Sequence, residues 1–191
     1  WRQDPIWRDG NAEMAVYNAI RTIYCKPRRY TARLYTNTEY ASAVTKTKAA
    51  DNKGRLVFKH HLRQDITTEN YTYHYSTMCY LGVKDLKSLK LDMGSQEDCG
   101  ASFKQFVNHA GTCRWESFGY FPDEGHRSGS YQPPANYAFL NGLSLLLRGY
   151  PFDDPAPISV QLLPDQISNR QSTFEPVPSQ VRYVGRVELE L

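Results

Sequence analysis

Between Arg28 and Tyr120 the chain carries a run of Tyr-rich segments in which apolar or aromatic residues alternate with polar ones. The clearest run is Asn70-Tyr-Thr-Tyr-His-Tyr-Ser-Thr-Met-Cys-Tyr80. It puts Tyr71, Tyr73, Tyr75, Thr77 and Cys79 on one face and Thr72, His74, Ser76, Met78 and Tyr80 on the other. A period of two in aromatic and β-branched residues predicts a strand, because successive side chains leave opposite faces of a sheet. The same pattern predicts strands over Arg29–Ala41, Arg55–Arg63 and Asn70–Leu81. Another is predicted around Leu89, Leu91 and Met93, and a hairpin joins Ser102–Val107 to Thr112–Phe121 through His109-Ala-Gly111. A short strand is expected at Ser128–Tyr131. Turns this short favour an antiparallel meander over parallel βαβ units.

Two segments read as helices. Asn11 is placed to cap one over Ala12–Tyr24, where Val16, Ile20 and Ile23 form a stripe that Pro27 ends. Ala135–Arg148 is the second, following Pro133-Pro134 and closed by Gly149, with Phe139, Leu143, Leu146 and Leu147 on one side. These four are expected to pack on the sheet face formed by Leu56, Phe58, Tyr71, Tyr73 and Tyr75. Residues 1–10 read as an irregular arm in which Trp1 and Trp7 could anchor to the body or to a partner. Lys46–Gly54 and Ser168–Gln180 read as loops, Ile158–Leu163 and Val181–Leu191 as late strands. The fold class expected is mainly β (α+β): a curved antiparallel sheet or half-barrel wrapped around one or two helices. A single domain spans 11–191, and the alternation that runs to Leu191 suggests a chain that continues.

Composition adds little to this picture. A chain of 191 residues forms one domain with a sizeable core. Tyr contributes 14 residues, and its ring can pack while its hydroxyl reaches water. The net charge of +3 is too small to point to nucleic acid or an anionic membrane. No run approaches the roughly 18 apolar residues of a membrane span. Cys25, Cys79, Cys99 and Cys113 include no Cys-x-x-Cys pair, which disfavours structural zinc, and leave free thiols and three full pairings open. The even cysteine count and the Asn70-Tyr-Thr72 sequon are compatible with export to a periplasmic, cell-surface or extracellular location.

The order of segments resembles the half-barrel of bacterial lipoprotein carriers of the LolA type, and a family of uncharacterised exported bacterial β-rich proteins. The residues that carry the resemblance are the strand series from Arg55 through Phe121, then Leu143-Ser-Leu-Leu-Leu-Arg148 and the late strands. It covers about residues 30–191 and rests on order more than on a motif, so no catalytic residue carries over. The carriers bury acyl chains under the sheet; here Tyr and Leu can fill that face.

Candidate chemistry is sparse. His60 and His61 are adjacent in a strand and face opposite ways. His60 shares an apolar face and reads as a satisfied core histidine, although His60 and His74 could meet across paired strands and hold a metal with a carboxylate. Cys99 beside Glu97 and Asp98 is expected to have a raised pKa and poor reactivity. Asp123-Glu-Gly-His126 reads as a solvated turn. Lys26, Arg28, Arg29 and Arg33 interleave with Tyr30 and Tyr35, a weak single-strand nucleic-acid pattern better read as a solvated face. No Gly-x-Ser-x-Gly, Walker-type or dinucleotide motif occurs.

The reading that follows is a non-enzymatic exported domain, without cofactor, that binds an apolar small molecule or a protein. Its ligand- or partner-facing residues are Leu56, Phe58, Tyr71, Tyr73, Tyr75, Phe139 and Leu146. A structural subunit of an envelope or extracellular assembly, anchored through Trp1 and Trp7, is the second reading. A hydrolase or metal enzyme with an unrecognised site is the third.

Overall fold

The computed structural model describes residues 1–50, 53–170 and 173–188. It is mainly β. Eight strands follow one another in the sheet in chain order, each antiparallel to the next. They are β1 (Glu13–Ile23), β2 (Lys26–Ala41), β3 (Arg55–Thr67), β4 (Thr72–Gly82), β5 (Ser88–Glu97), β6 (Gly100–His109), β7 (Thr112–Gly119) and β8 (Gly125–Tyr131). A second sheet has the order β11-β10-β9. Its strands are β9 (Tyr137–Phe139), β10 (Ile158–Leu163) and β11 (Val177–Val181), and β9 runs parallel to β10. The sheet does not close into a barrel.

The first predicted helix is a strand. Val16, Ile20 and Ile23 satisfy a helical stripe, but the segment is also rich in β-branched and aromatic residues, which pack well on a pleated surface. Tyr24 and Cys25 adopt φ of 51° and 60°, the doubly left-handed geometry of a two-residue hairpin turn. That turn folds β1 onto β2 in unbroken register from Ile23↔Lys26 to Glu13↔Thr36. Pro27 therefore does not end a helix. It lies in β2 outside the stretch that pairs with β3, where its missing N–H leaves no bond unmade.

The second predicted helix shrinks to α1 (Leu143–Leu146) between two 3₁₀ turns, Leu140–Gly142 and Leu147–Gly149. Tyr137–Phe139, its expected first turn, is drawn into β9 by pairing with Gln161–Leu163. The buried residues here are accordingly Ala138, Phe139, Gly142 and Leu145, while Leu143, Leu146 and Leu147 are only partly buried. A Cβ on Gly142 would come within 3.0 Å of Cys79 Sγ, so the chain here lies directly on β4. Leu145→Ala is expected to destabilise the fold more than Leu146→Ala, as urea unfolding of the two variants will measure.

The other strands follow the alternation. In β4, Tyr73, Tyr75, Thr77, Cys79 and Leu81 are buried, while His74 is exposed and Ser76, Met78 and Tyr80 are half-buried. Two clusters lie on this inner face. The larger contains Phe58, Cys79, Leu81, Leu91, Phe106 and Cys113 beneath Phe139, Leu145 and Leu163. The smaller packs Ile66, Tyr73, Tyr75 and Met93 against Ile167. The segment 168–180, expected to be a loop, ends in β11 from Val177 onward. The expected final strand Val181–Leu191 is only its last residue, Val181; residues 182–188 carry no strand, and 189–191 lie outside the described residues.

The amino-terminal arm folds back on the body. Its residues Pro5–Arg8 form a 3₁₀ turn capped by Asp4, whose carboxylate accepts from the Ile6 N–H. Trp7 is 8% exposed. Its ring meets Phe58 edge-on at 5.2 Å, and Trp1 stacks on the same ring at 5.4 Å. The Thr38 hydroxyl donates to the Trp7 carbonyl. Trp7 thus belongs to this chain's own core, while Trp1, 40% exposed, lies over Phe58 at the surface; of the two anchorages open to the arm, to the body or to a partner, the body takes Trp7.

Candidate functional site

The residues expected to face a ligand are covered by the chain itself. Phe58, Tyr73, Tyr75 and Phe139 are buried, and Leu56, Tyr71 and Leu146 pack partly buried against the two clusters. Tyr73 and Tyr75 stack at 5.9 Å, and the guanidinium of Arg21 lies 4.7 Å from the Tyr75 ring centre. Burial pushes the Tyr75 hydroxyl up to about 12. The hydroxyls of Tyr24, Tyr71 and Tyr73 bond to one another, and the Cys99 thiol donates to Tyr71 at 3.2 Å.

The histidines do not assemble a metal site. His60 faces inward as the satisfied core histidine expected of it, and His74 faces outward, so the alternative of a meeting across strands does not occur. His60 Nδ1 bonds the Thr36 hydroxyl and Nε2 the Ser144 hydroxyl, both at 2.8 Å. Desolvation, helped by the nearby Arg148 charge, lowers its pKa to about 4. His74 instead pairs with Asp65 at 2.6 Å. No group of three or more metal-ligating side chains converges among the described residues.

An open groove of about 420 Å³ on the outer face is lined by His61, Arg63, Asp65, His74, Ser76 and Gly94 among others. His61 Nε2 lies 2.9 Å from Ser76 Oγ, and Arg63 donates to Asp65. Burial and the charges of Lys59 and Arg63 lower the His61 pKa, so the ring is neutral at pH 7. The pair resembles a base and a hydroxyl nucleophile, but both lie mid-strand, where backbone N–H groups are committed to the β3–β4–β5 ladders. Any oxyanion donor in this groove would therefore be a side chain, such as Arg63 or Gln96.

The cysteines are free thiols. Cys79 and Cys113 are buried; Cys25 and Cys99 are exposed at hairpin tips. Lys26 and Arg28 pair with Glu69, Arg55 with Asp85, and Lys59 lies 4.0 Å from Glu39, so these basic residues are balanced locally. Among the described residues no helix is long and apolar enough to cross a membrane.

The feature that stands apart is the edge at β1, which among the described residues pairs only with β2. The two-residue turn fixes which backbone groups face outward. Ile23 and Lys26, flanking it, form a hydrogen-bonded pair, and hydrogen-bonded and non-bonded pairs then alternate along the ladder. Met14, Val16, Asn18, Ile20 and Thr22 fall in non-bonded pairs, so their N–H and C=O groups point away from β2. Side chains have the same period, so these residues also share the outer face. Met14, Val16 and Ile20 are 56%, 55% and 58% exposed.

Edge strands are usually blunted by shortness, by charges (Lys above all, or charges that point inward), by Pro or by a bulge. β1 is 11 residues long, contains no Lys, Pro or Gly, and pairs with β2 without a register shift. At the opposite edge β8 has 7 residues, with Gly125, Gly129 and the charged Arg127. The charges of β1 lie on its inner face and tie it down. Glu13 pairs with Arg148, which holds its carboxyl below the usual range, and Arg21 donates to the Ile167 carbonyl at 2.6 Å. An apolar row continues inward from the edge on the outer face through the register Met14↔Tyr35↔His61↔Met78, with the Tyr35 and His61 rings 6.0 Å apart.

Comparison with protein-family models, with curated proteins and with solved structures finds no match to this chain.

Proposed function

We propose that this chain is a non-enzymatic, exported binding domain that takes a protein partner by strand addition at β1. The observation that carries this reading is the long edge, clear of Lys, Pro, Gly and bulges, whose outward backbone groups belong to the same residues as the exposed Met14, Val16 and Ile20 side chains. An extended segment laid along β1 gains ladder hydrogen bonds from the backbone and apolar contacts from alternate side chains. The inner face, occupied by Phe139, Leu145 and Ile167, supports a protein partner over an apolar small molecule. The exposed position of Asn70, in the turn between β3 and β4, supports the exported location.

The experiment uses a short soluble peptide alternating Thr and Val, with amide hydrogen exchange as the readout. The peptide is expected to slow exchange at Met14, Val16, Asn18 and Ile20 in the full chain. Val16→Pro removes one outward N–H and leaves the β2 ladder intact, so it should abolish that protection. Equal exchange at these amides with and without the peptide would remove the strand-addition reading.

A further inference from the structure

We propose that the strand received by β1 is β1 of a second copy of this chain, running antiparallel about a two-fold axis through Tyr17; this rests on the strand-addition reading above. An isologous contact requires a patch complementary to itself. In an antiparallel pair the outward-facing residues of one strand must oppose outward-facing residues of the other, which restricts the registers allowed. With Tyr17 opposite its own counterpart, Glu13 lies opposite Arg21 of the second copy, and Arg21 opposite Glu13. Met14 meets Ile20, Val16 meets Asn18, and Ala15 meets Ala19. All of these follow from the segment Glu13-Met-Ala-Val-Tyr-Asn-Ala-Ile-Arg-Thr-Ile23.

This register satisfies three requirements together. Opposite charges face each other twice, and opposed charges of unlike sign stabilise a pair whereas like signs destabilise it. The exposed apolar side chains of Met14 and Ile20 cover each other at both ends of the outer row. Small residues flank the axis on the inner side, leaving room for the half-exposed Tyr17 rings to meet. Shifting the axis to Asn18 puts Glu13 opposite Ile23 and Arg21 opposite Ala15, and the charge complementarity is lost. In the Tyr17 register each Glu13 carboxylate accepts from Arg148 of its own chain and Arg21 of the other. Glu69 already takes two cations in this way, from Lys26 and Arg28. Met14–Ile20 and Val16–Asn18 contacts each exchange two backbone hydrogen bonds, so the two sheets join into one.

Light scattering and sedimentation over a concentration series test the proposal on the full chain. The expected result is a mass twice that of the chain, falling to the single-chain mass in Val16→Pro and in Ile20→Lys, both of which should keep the wild-type circular dichroism. Glu13→Arg and Arg21→Glu should each weaken self-association roughly tenfold or more, and mixing the two variants should restore a heterodimer in which both charge pairs are again complementary, which loss of the Arg148 and Ile167 contacts within each chain would not produce. Tyr17→Cys, made with Cys25→Ser and Cys99→Ser, should oxidise to a covalent dimer, since opposed residues of a non-bonded pair lie within disulfide reach. A single-chain mass at every concentration, with the Thr/Val peptide still protecting β1, would overturn the second copy as partner and leave strand addition standing. A dimer insensitive to Val16→Pro and not trapped through Tyr17→Cys would overturn it as well.

Discussion

Phe58→Ala is expected to lower the stability of the folded chain by about 3–5 kcal/mol, the cost of emptying a large aromatic site in a well-packed core. Phe58 is fully buried, and the cavity would open where three parts of the molecule meet. β3 supplies the ring, the larger cluster surrounds it, and the amino-terminal arm closes over it with Trp1 and Trp7. Loss of the ring should therefore also free the arm. Urea unfolding followed by Trp fluorescence will read both effects, a lower midpoint and a red-shifted native spectrum. A loss under about 1 kcal/mol with an unshifted spectrum would show that the arm does not pack on Phe58 in solution.

The second large effect is in pH. Stability is expected to climb with pH from 4 to 6.5, to flatten, to climb again from pH 8 to about 9, and then to fall, because burial raises the Cys79 and Cys113 thiols and the Tyr75 and Tyr80 hydroxyls and the unfolded chain loses those protons first. The lower step belongs to His60, whose pKa falls from 6.5 unfolded to about 4 folded because burial disfavours the imidazolium. Between these values the unfolded chain binds more protons than the folded one, so the contribution present above 6.5 is lost as pH falls through 4. Its size is about 3 kcal/mol at 1.36 kcal/mol per pKa unit. The upper step belongs to Lys104, which is buried with its ammonium donating to the Gln166 and Arg170 carbonyls. Desolvation lowers its pKa from 10.5 to about 8, so the charged form is disfavoured in the fold and the Lys104 contribution by itself rises between pH 8 and 10.5 by a similar amount, its lower part unopposed until the Cys79 and Cys113 thiols begin to titrate in the unfolded chain near pH 9. Urea midpoints across pH, for wild type, His60→Gln and Lys104→Met, will check this. Each variant should flatten its own step; His61, also lowered, keeps a residual slope in the lower one.

Much of the large sheet is legible in the chain's alternation. The burial of Tyr73, Tyr75, Thr77 and Cys79 follows from the period of two, and Ile158–Leu163 is a strand with the bounds expected of it. The reading fails where two periods coincide. Val16, Ile20 and Ile23 suit a helical stripe, while Met14, Val16 and Ile20 suit a strand that Asn18 interrupts. The choice is made by the left-handed turn at Tyr24-Cys25 and by the partner β2, and neither is local to the stripe. Phe139 reads as core from the sequence, whereas the buried Leu145 falls outside the stripe Phe139, Leu143, Leu146 and Leu147, because that stripe presumes one unbroken helix and the segment is a strand end, a 3₁₀ turn and a single α turn.

The candidate site was out of reach for the same reason. An edge strand is defined by the absence of a neighbour, and no residue type encodes that directly. The usable signal was a long β-capable stretch at one end of a meander with no Lys, Pro or Gly to protect it. Of the residues expected to face a ligand, Tyr71, Tyr73 and Tyr75 do line the inner face, but Ile167 and its neighbours supply the cover from nearly a hundred residues further along the chain.

That separation has a bearing on synthesis. Each sheet neighbour in β1–β8 is also a chain neighbour, so hairpins can form one after another as the polypeptide emerges from the ribosome. The cover arrives late. Until Phe139, Leu145, Leu163 and Ile167 have been made, the nascent sheet presents Leu81, Leu91, Met93 and Phe106 to water with nothing over them. A chaperone that shields this face during translation would meet a surface that the finished molecule never shows.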